Sequence, residues 1–167
     1  MRANLTGCTL NDARLDYADL TNAILRNAVL SGVILNDVYL DYADLSGANL
    51  AESYLYGGTL TGTVLSKANL RSSRIIMMNY LDADFSGADL RNARFAQIYM
   101  NNTNFSGADL SGVVFDTTAL ENADFRGANL EGVKYDEIAL QYFAVSKLDG
   151  ARMSADLQRD LEELWSG

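Results

Sequence analysis

Carboxylate side chains recur along this chain, and they are the residues whose spacing could do chemistry. Aspartate or asparagine often directly precedes a leucine or phenylalanine, and Asp82-Ala83-Asp84 comes nearest to a motif. Paired carboxylates can act as a general acid and base or bind Ca²⁺. However, no calcium-loop spacing is present, and exposed carboxylates lack the burial that tunes one of them as an acid. We therefore predict a solvated polar surface with no catalytic residue, no metal site and no cofactor.

The composition excludes several other kinds of site. There is no histidine and a single cysteine, Cys8, so Ser-His-Asp and Cys-His nucleophile pairs, histidine zinc sites and an internal disulfide are absent. We expect Cys8 to be a small, reduced core residue. The net charge of −9 argues against nucleic acid or an anionic membrane as a direct partner. An enzyme is not predicted.

The N-terminal sequence carries no sign of export. Met1 to Leu5 lacks the apolar region of a secretory signal, and no stretch approaches the ~18 apolar residues of a spanning helix. A cytoplasmic protein is the prediction.

These polar residues are set within an internal repeat of five residues. Every fifth residue from Leu5 to Val145 is apolar or tyrosine, all of them leucine up to Leu70. Phenylalanine appears at these central positions only from Phe85 onward. The residue two places earlier is mostly small and the one between is polar, which is the in-out-in pattern of a strand.

An odd period requires the chain to turn within every repeat. Ten of the 13 glycines lie two residues after a central position, where a tight turn would need a positive φ. A helix is excluded because a five-residue spacing leaves no apolar face, and a leucine-rich repeat has a longer period. Four short strands with four corners close into a coil of 20 residues.

Particular runs of residues carry a family resemblance. Ala18-Asp19-Leu20, the stretch from Ala43 to Leu50 and Phe85-Ser86-Gly87-Ala88-Asp89-Leu90 resemble the pentapeptide-repeat family. The resemblance covers about 1–147 and implies an all-β fold, a right-handed quadrilateral parallel β-helix. Most members of that family have no known activity.

The repeat predicts about seven stacked coils over 1–147, with a junction of two repeat blocks near 71–82. Residues 148–167 are predicted to be a linker and a short capping α-helix, with Ser154 as its N-cap. Leu157, Leu161, Leu164 and Trp165 would share one face of that helix. The N-terminus begins inside a repeat and offers no cap, so this edge either pairs with a second copy or follows a further segment.

One outer face departs from a polar pattern. Residues 20 apart stack, which places several outward apolar side chains together, flanked by arginine, as in interface centres. Alternatively, such residues only improve strand stacking, since outward apolar residues are normal on sheets. The candidate interaction patch consists of Ile34, Tyr54, Tyr56, Arg74, Ile76 and Met77.

Two functions remain open. The first is a non-catalytic structural or protein-interaction module with an unidentified protein partner, since every coil is used for structure. The second comes from the resemblance, because some acidic members of the family mimic duplex DNA and bind type II topoisomerases such as DNA gyrase. Against it, residues 81–167 carry −8 of the net charge while residues 1–80 carry −1.

Overall fold

The backbone forms one continuous coil that pairs with itself at intervals of 20 residues. The computed structural model describes residues 3–166. The amide of Leu5 donates to the carbonyl of Ile24 at 2.7 Å, and this pattern continues along the chain. Parallel bridges mark four sides of the first coil: Asn4↔Ile24, Thr9↔Val29, Arg14↔Ile34 and Asp19↔Tyr39. The four-sided parallel β-helix predicted from the repeat is confirmed.

The regular elements are eight strands and two helices. They are β1 Ile34–Tyr39, β2 Tyr54–Thr59, β3 Arg74–Ile76, β4 Arg94–Tyr99, β5 Val114–Ala119, β6 Asn129–Leu130, β7 Lys134–Tyr135, α1 Glu137–Ala144, β8 Arg152–Met153 and α2 Ala155–Ser166, all within residues 3–166. Six strands stack on one side of the coil as a parallel sheet in the order β1-β2-β3-β4-β5-β7, and we call its outer surface the strand face. A second sheet pairs β6 with β8.

The central residues of the repeats fill the interior with stacked rings in the C-terminal half. Phe105 lies between Phe85 and Phe125, with ring centroids 5.3 and 5.0 Å away. Phe95 stacks on Phe115 at 5.5 Å in the facing column. All five rings are at most 1% exposed. The phenylalanines at the central positions are therefore packed core.

The regular repeat ends at Tyr135, earlier than predicted. Helix α1 follows it, with Asp136 as N-cap accepting from the amide of Ala139 at 2.9 Å. Phe143 enters the core from this helix, 5.1 Å from the ring of Phe125. Val145 is 74% exposed, so the prediction that it points inward is wrong. The coil has about six turns rather than about seven because α1 replaces part of the last one.

The coil ends early because of the residues that precede the last two central positions, Leu140 and Val145. Phe143 is larger than any residue that stands two places before a central position in the regular coil, and Asp136 with Glu137 favours a helix start. Helix α1 thus lies inside the range 1–147 that was predicted to be coil. The block junction near 71–82 and the boundary at 147 stay predictions.

Helix α2 covers the C-terminal end of the coil, as predicted. The amide of Leu157 lies 3.5 Å from Ser154 Oγ, and Leu157 and Leu161 are completely buried. The hydroxyl of Tyr135 donates to Asp160 Oδ2 at 2.7 Å and ties the helix to the last regular repeat. The expectation of one buried stripe is only half right, because Leu164 and Trp165 are 44% and 58% exposed.

The N-terminal end of the coil is open within the described residues. Leu5, Leu10, Leu15 and Leu20 are only partly buried, whereas Leu25 one coil further is 1% exposed. Cys8 is half-buried beside them. The predicted absence of a cap concerns in part residues 1 and 2, which lie outside the described residues. No segment of residues 3–166 covers this end.

Candidate interaction surface

The six residues of the candidate patch lie next to one another on the strand face. Ile34, Tyr54 and Arg74 occupy register-matched positions on β1, β2 and β3. Such a line of stacked residues is a column, and Tyr56 and Ile76 belong to a second column, two residues further along the strands. The intervening residues point inward, as the buried Leu55 and Ile75 show, so both columns face outward. Met77 follows β3 at the corner. We call these six residues the strand-face patch.

The patch presents apolar side chains on a rigid support. Tyr56 is 38% exposed and Met77 51% exposed, while Ile34, Tyr54 and Ile76 are half-buried. The rings of Tyr54 and Tyr56 are parallel within 2°, with centroids 6.4 Å apart. Because the strands beneath are hydrogen-bonded on both sides, the two rings keep a fixed spacing.

Charged pairs border the patch along the strands. At its N-terminal side Arg14 Nε lies 3.0 Å from Asp16 Oδ2, and at its C-terminal side Arg94 is paired with Asp116. Arg74 differs from both, because its exposed side chain makes no hydrogen bond or ion pair with any part of residues 3–166. The patch therefore contains an unpaired guanidinium among apolar neighbours.

The carboxylate ladders hold the corners of the coil. Asp84 Oδ1 accepts from the amide of Ser86 at 2.9 Å and from Asn104 Nδ2 in the next coil at 3.0 Å. Asp82 accepts from Asn102 Nδ2 at 2.9 Å. Since both members of the Asp82–Asp84 pair already have structural partners, they form the predicted polar surface. Within residues 3–166 no three histidine, cysteine, aspartate or glutamate side chains are grouped so as to hold a metal.

Arginine partners lower the pKa of several carboxyl groups. The pKa of Asp89 lies below its usual range chiefly because Arg91 donates to it, at 2.6 Å. The pKa of Asp124 is lowered in the same way by Arg126, at 2.5 Å. These groups stay ionised at neutral pH, which is the opposite of what a general acid needs.

A second apolar surface could not be predicted from the repeat because α1, which forms one of its walls, departs from the repeat. Where α1 meets the strands, a shallow groove of about 270 Å³ is lined by Tyr99, Ile138 and Tyr142, among others. Tyr99 is 65% exposed and Ile138 44% exposed. The sequence indicated this surface only through Tyr39 and Tyr99, two tyrosines that point outward at stacked positions of the repeat. In the described part of the chain, no helix has the length and apolar character to cross a membrane.

Several solved structures are similar to this chain. No match was found among curated proteins. Among solved structures, QnrB1, a plasmid-mediated fluoroquinolone resistance protein, is 18% identical with a TM-score of 0.45, over 100% of this chain and 98% of that one. HetL from the cyanobacterium Nostoc sp. strain PCC 7120, a protein involved in heterocyst differentiation regulation, is 23% identical with a TM-score of 0.39, over 90% and 87%. A pentapeptide repeat protein of the Arabidopsis thaliana thylakoid lumen is 22% identical with a TM-score of 0.31, over 96% and 88%.

The sequence itself identifies the family. The profile of pentapeptide repeats matches eight copies, within residues 3–41, 34–74 and 82–116. These ranges cover well over half of the chain and coincide with the regular coils. With its five-residue repeat, four-sided coil and matching profile, this chain belongs to the pentapeptide repeat family.

Proposed function

We propose that this protein is a non-catalytic interaction module that binds a protein partner through the strand-face patch. The observation that carries the proposal is the cluster of Tyr54, Tyr56, Ile76 and Met77 around the unpaired Arg74. Aromatic, methionine and arginine side chains are enriched at the centres of protein interfaces, where they contribute most of the binding energy. An isolated apolar side chain on a sheet would need no such explanation.

The rest of the fold supports a binding role over catalysis. Its corners are tight turns, and the carboxylates of Asp82, Asp84 and Asp109 accept hydrogen bonds that stabilise the coil. A rigid surface suits recognition because little conformational entropy is lost when a partner binds. The cytoplasmic location stays a prediction.

The proposal is tested by capturing partners from a lysate of the source cells. We expect wild-type protein to retain a specific partner and the double variant Tyr54→Asp/Ile76→Asp to lose it, because two buried charges at an interface centre are unfavourable. The matched control Val29→Asp/Asn69→Asp places the same charges on another side of the coil and retains the partner. Circular dichroism and thermal melts establish that both variants are folded.

Equal capture by the patch variant and the control contradicts the proposal. Loss by both variants to the same extent contradicts it as well, because binding would then depend on total charge. Capture that is lost only with the patch variant supports it.

The alternative candidate is a DNA-mimicking protector of a type II topoisomerase. It is favoured by the net charge of −9, as a protein that mimics DNA must be acidic. It is weakened by the pairing of Asp89, Asp116 and Asp124 with arginines, since a neutralised carboxylate resembles a phosphate poorly. Enrichment of DNA gyrase on the wild-type protein, with protection of its supercoiling activity from a quinolone, would move this candidate to first place.

We also propose a homodimer through the open N-terminal end. The partly exposed Leu5, Leu10 and Leu15 leave apolar surface at this end, and the first coil has no preceding strand to pair with among the described residues. Sedimentation equilibrium is expected to give a dimer for the wild-type protein and a monomer for Leu10→Glu. A strict monomer at high wild-type concentration contradicts this proposal.

A further inference from the structure

The strand-face patch holds one unpaired cation, Arg74, on an acidic protein. Every carboxylate in its two outward columns is already engaged: Asp16 by Arg14 and Asn36, Asp116 by Arg94, and Asp136 by the amides of Thr117 and Ala139. Glu52, exposed at the corner before β2, and Asp37, exposed in β1, make no ion pair in residues 3–166, with Arg74 or with any other cation. Arg74 thus has five N–H donors and no protein acceptor for them.

Most of the groups around Arg74 are apolar. Along its column Tyr54 precedes it, and Ile76 and Met77 follow it on the chain. On the other side of Arg74 lies Arg94, which is already paired with Asp116. A partner that covers these side chains also removes Arg74 from water, and a guanidinium buried without an acceptor is strongly unfavourable. A well-fitted partner must therefore bring its own acceptor to Arg74 when it buries the tyrosines.

From this juxtaposition we infer that the strand-face patch recognises a protein segment in which a glutamate or aspartate lies beside large apolar side chains. The carboxylate would accept from Arg74 in a bidentate pair, and the apolar groups would pack on Tyr54, Tyr56 and Met77. The net charge of −9 repels a uniformly acidic partner, so the carboxylate must be a local feature. This inference rests on the proposed function and adds the chemistry of the partner.

A protein segment fits this surface better than a phosphate polymer does. Nucleic-acid binding needs a row of lysines and arginines because each phosphate contact requires a cation. The patch offers one unpaired guanidinium, and most of its side chains are apolar. A surface with one charge among several apolar groups is typical of the centre of a protein–protein interface that contains a single ion pair.

The test uses the full chain and two labelled synthetic peptides of one length. Both peptides carry tryptophan and leucine at the same positions, with glutamates between them in one and lysines in the other. By fluorescence anisotropy we expect the glutamate peptide to bind wild-type protein about tenfold more tightly, and Arg74→Glu to reverse this preference. Lys67→Glu, the same charge reversal at an exposed corner away from the strand face, keeps the wild-type preference.

Three results overturn the inference. The first is that the wild-type protein binds both peptides equally, or binds neither of them. The second is a preference that survives Arg74→Glu in a folded variant. The third is displacement of the glutamate peptide by inorganic phosphate at millimolar concentration, which would show that Arg74 accepts any anion.

The two proposals fail separately. If both peptides bind equally and Tyr54→Asp abolishes their binding, the patch is an interface without a preference for acidic residues, and only the inference falls. If Tyr54→Asp/Ile76→Asp also leaves partner capture unchanged, the proposed function falls with it.

Discussion

Among the glycines of residues 3–166, Gly58 is the one at which an added Cβ would lie within 3.0 Å of backbone atoms of the neighbouring coil, so its replacement by alanine gives a sharp test of the stacking. It lies in β2 with a φ of 87° and pairs with Val38 one coil earlier. A Cβ atom there would overlap the carbonyl oxygen of Val38 and lie 2.7 Å from its backbone nitrogen. Since these are backbone atoms, no side chain can move aside, and the coils themselves must separate.

Gly107 is the matched comparison. It also has a left-handed φ, 66°, but a Cβ atom there meets nothing within 4 Å. Gly107→Ala carries only the conformational cost of an L-residue, about 1–2 kcal/mol. Gly58→Ala adds overpacking against the neighbouring coil, so we expect it to lower the free energy of unfolding by about 1–3 kcal/mol more.

Urea denaturation followed by circular dichroism measures both variants. The comparison needs equal m-values, because a change in m would indicate altered two-state behaviour. Equal losses of stability for Gly58→Ala and Gly107→Ala would refute the reasoning, since the contact between Gly58 and Val38 would then contribute nothing.

Three further predictions concern the interior and the surface pairs. Phe105→Ala should lower the free energy of unfolding by about 3–5 kcal/mol, because it leaves a cavity between two stacked rings; a loss below about 1 kcal/mol in denaturant melts contradicts its inward position. Ser73→Ala should raise stability by about 1 kcal/mol, because the buried Oγ of Ser73 has no hydrogen-bond partner; a lower melting temperature contradicts this. Asp124 has its pKa lowered by Arg126, so the stability that the pair contributes is present above the unfolded pKa near 4 and is lost as the pH falls through the lower folded pKa. Thermal melts between neutral pH and pH 2 should therefore show a smaller acid-induced loss for Arg126→Gln than for wild type, and identical losses would contradict the assignment.

The repeat was predictable from sequence because one rule determines every regular coil. A central residue such as Leu25 or Phe105 must point inward, and the polar residue before it must hold the corner, so a single period determines strand, corner and core. The residues of the strand-face patch could be grouped for the same reason, since a stacking interval of 20 residues brings Tyr54 next to Arg74.

The five-residue period gave a wrong prediction where the same residues fit either a coil or a helix. Leu140 and Val145 keep the five-residue phase, yet Asp136 caps a helix and Phe143 fills the core better from α1 than Val145 could from a coil. The unpaired state of Arg74 was also not predictable. It depends on which arginines find a carboxylate across the coils, as Arg94 does with Asp116, and that is a matter of side-chain geometry.

Within residues 3–166 one end of the coil is open and the other is covered, and this difference has a mechanical consequence. Under tension applied to the two ends of this part of a single chain, the column should come apart from the open end, where Leu5 and Leu10 are only partly packed, while α1 and α2 hold the other end. Because each coil contacts only its neighbours, the chain should release one coil at a time. Each 20-residue coil frees at most about 66–72 Å of extended chain, so the molecule would lengthen in regular steps and in one direction.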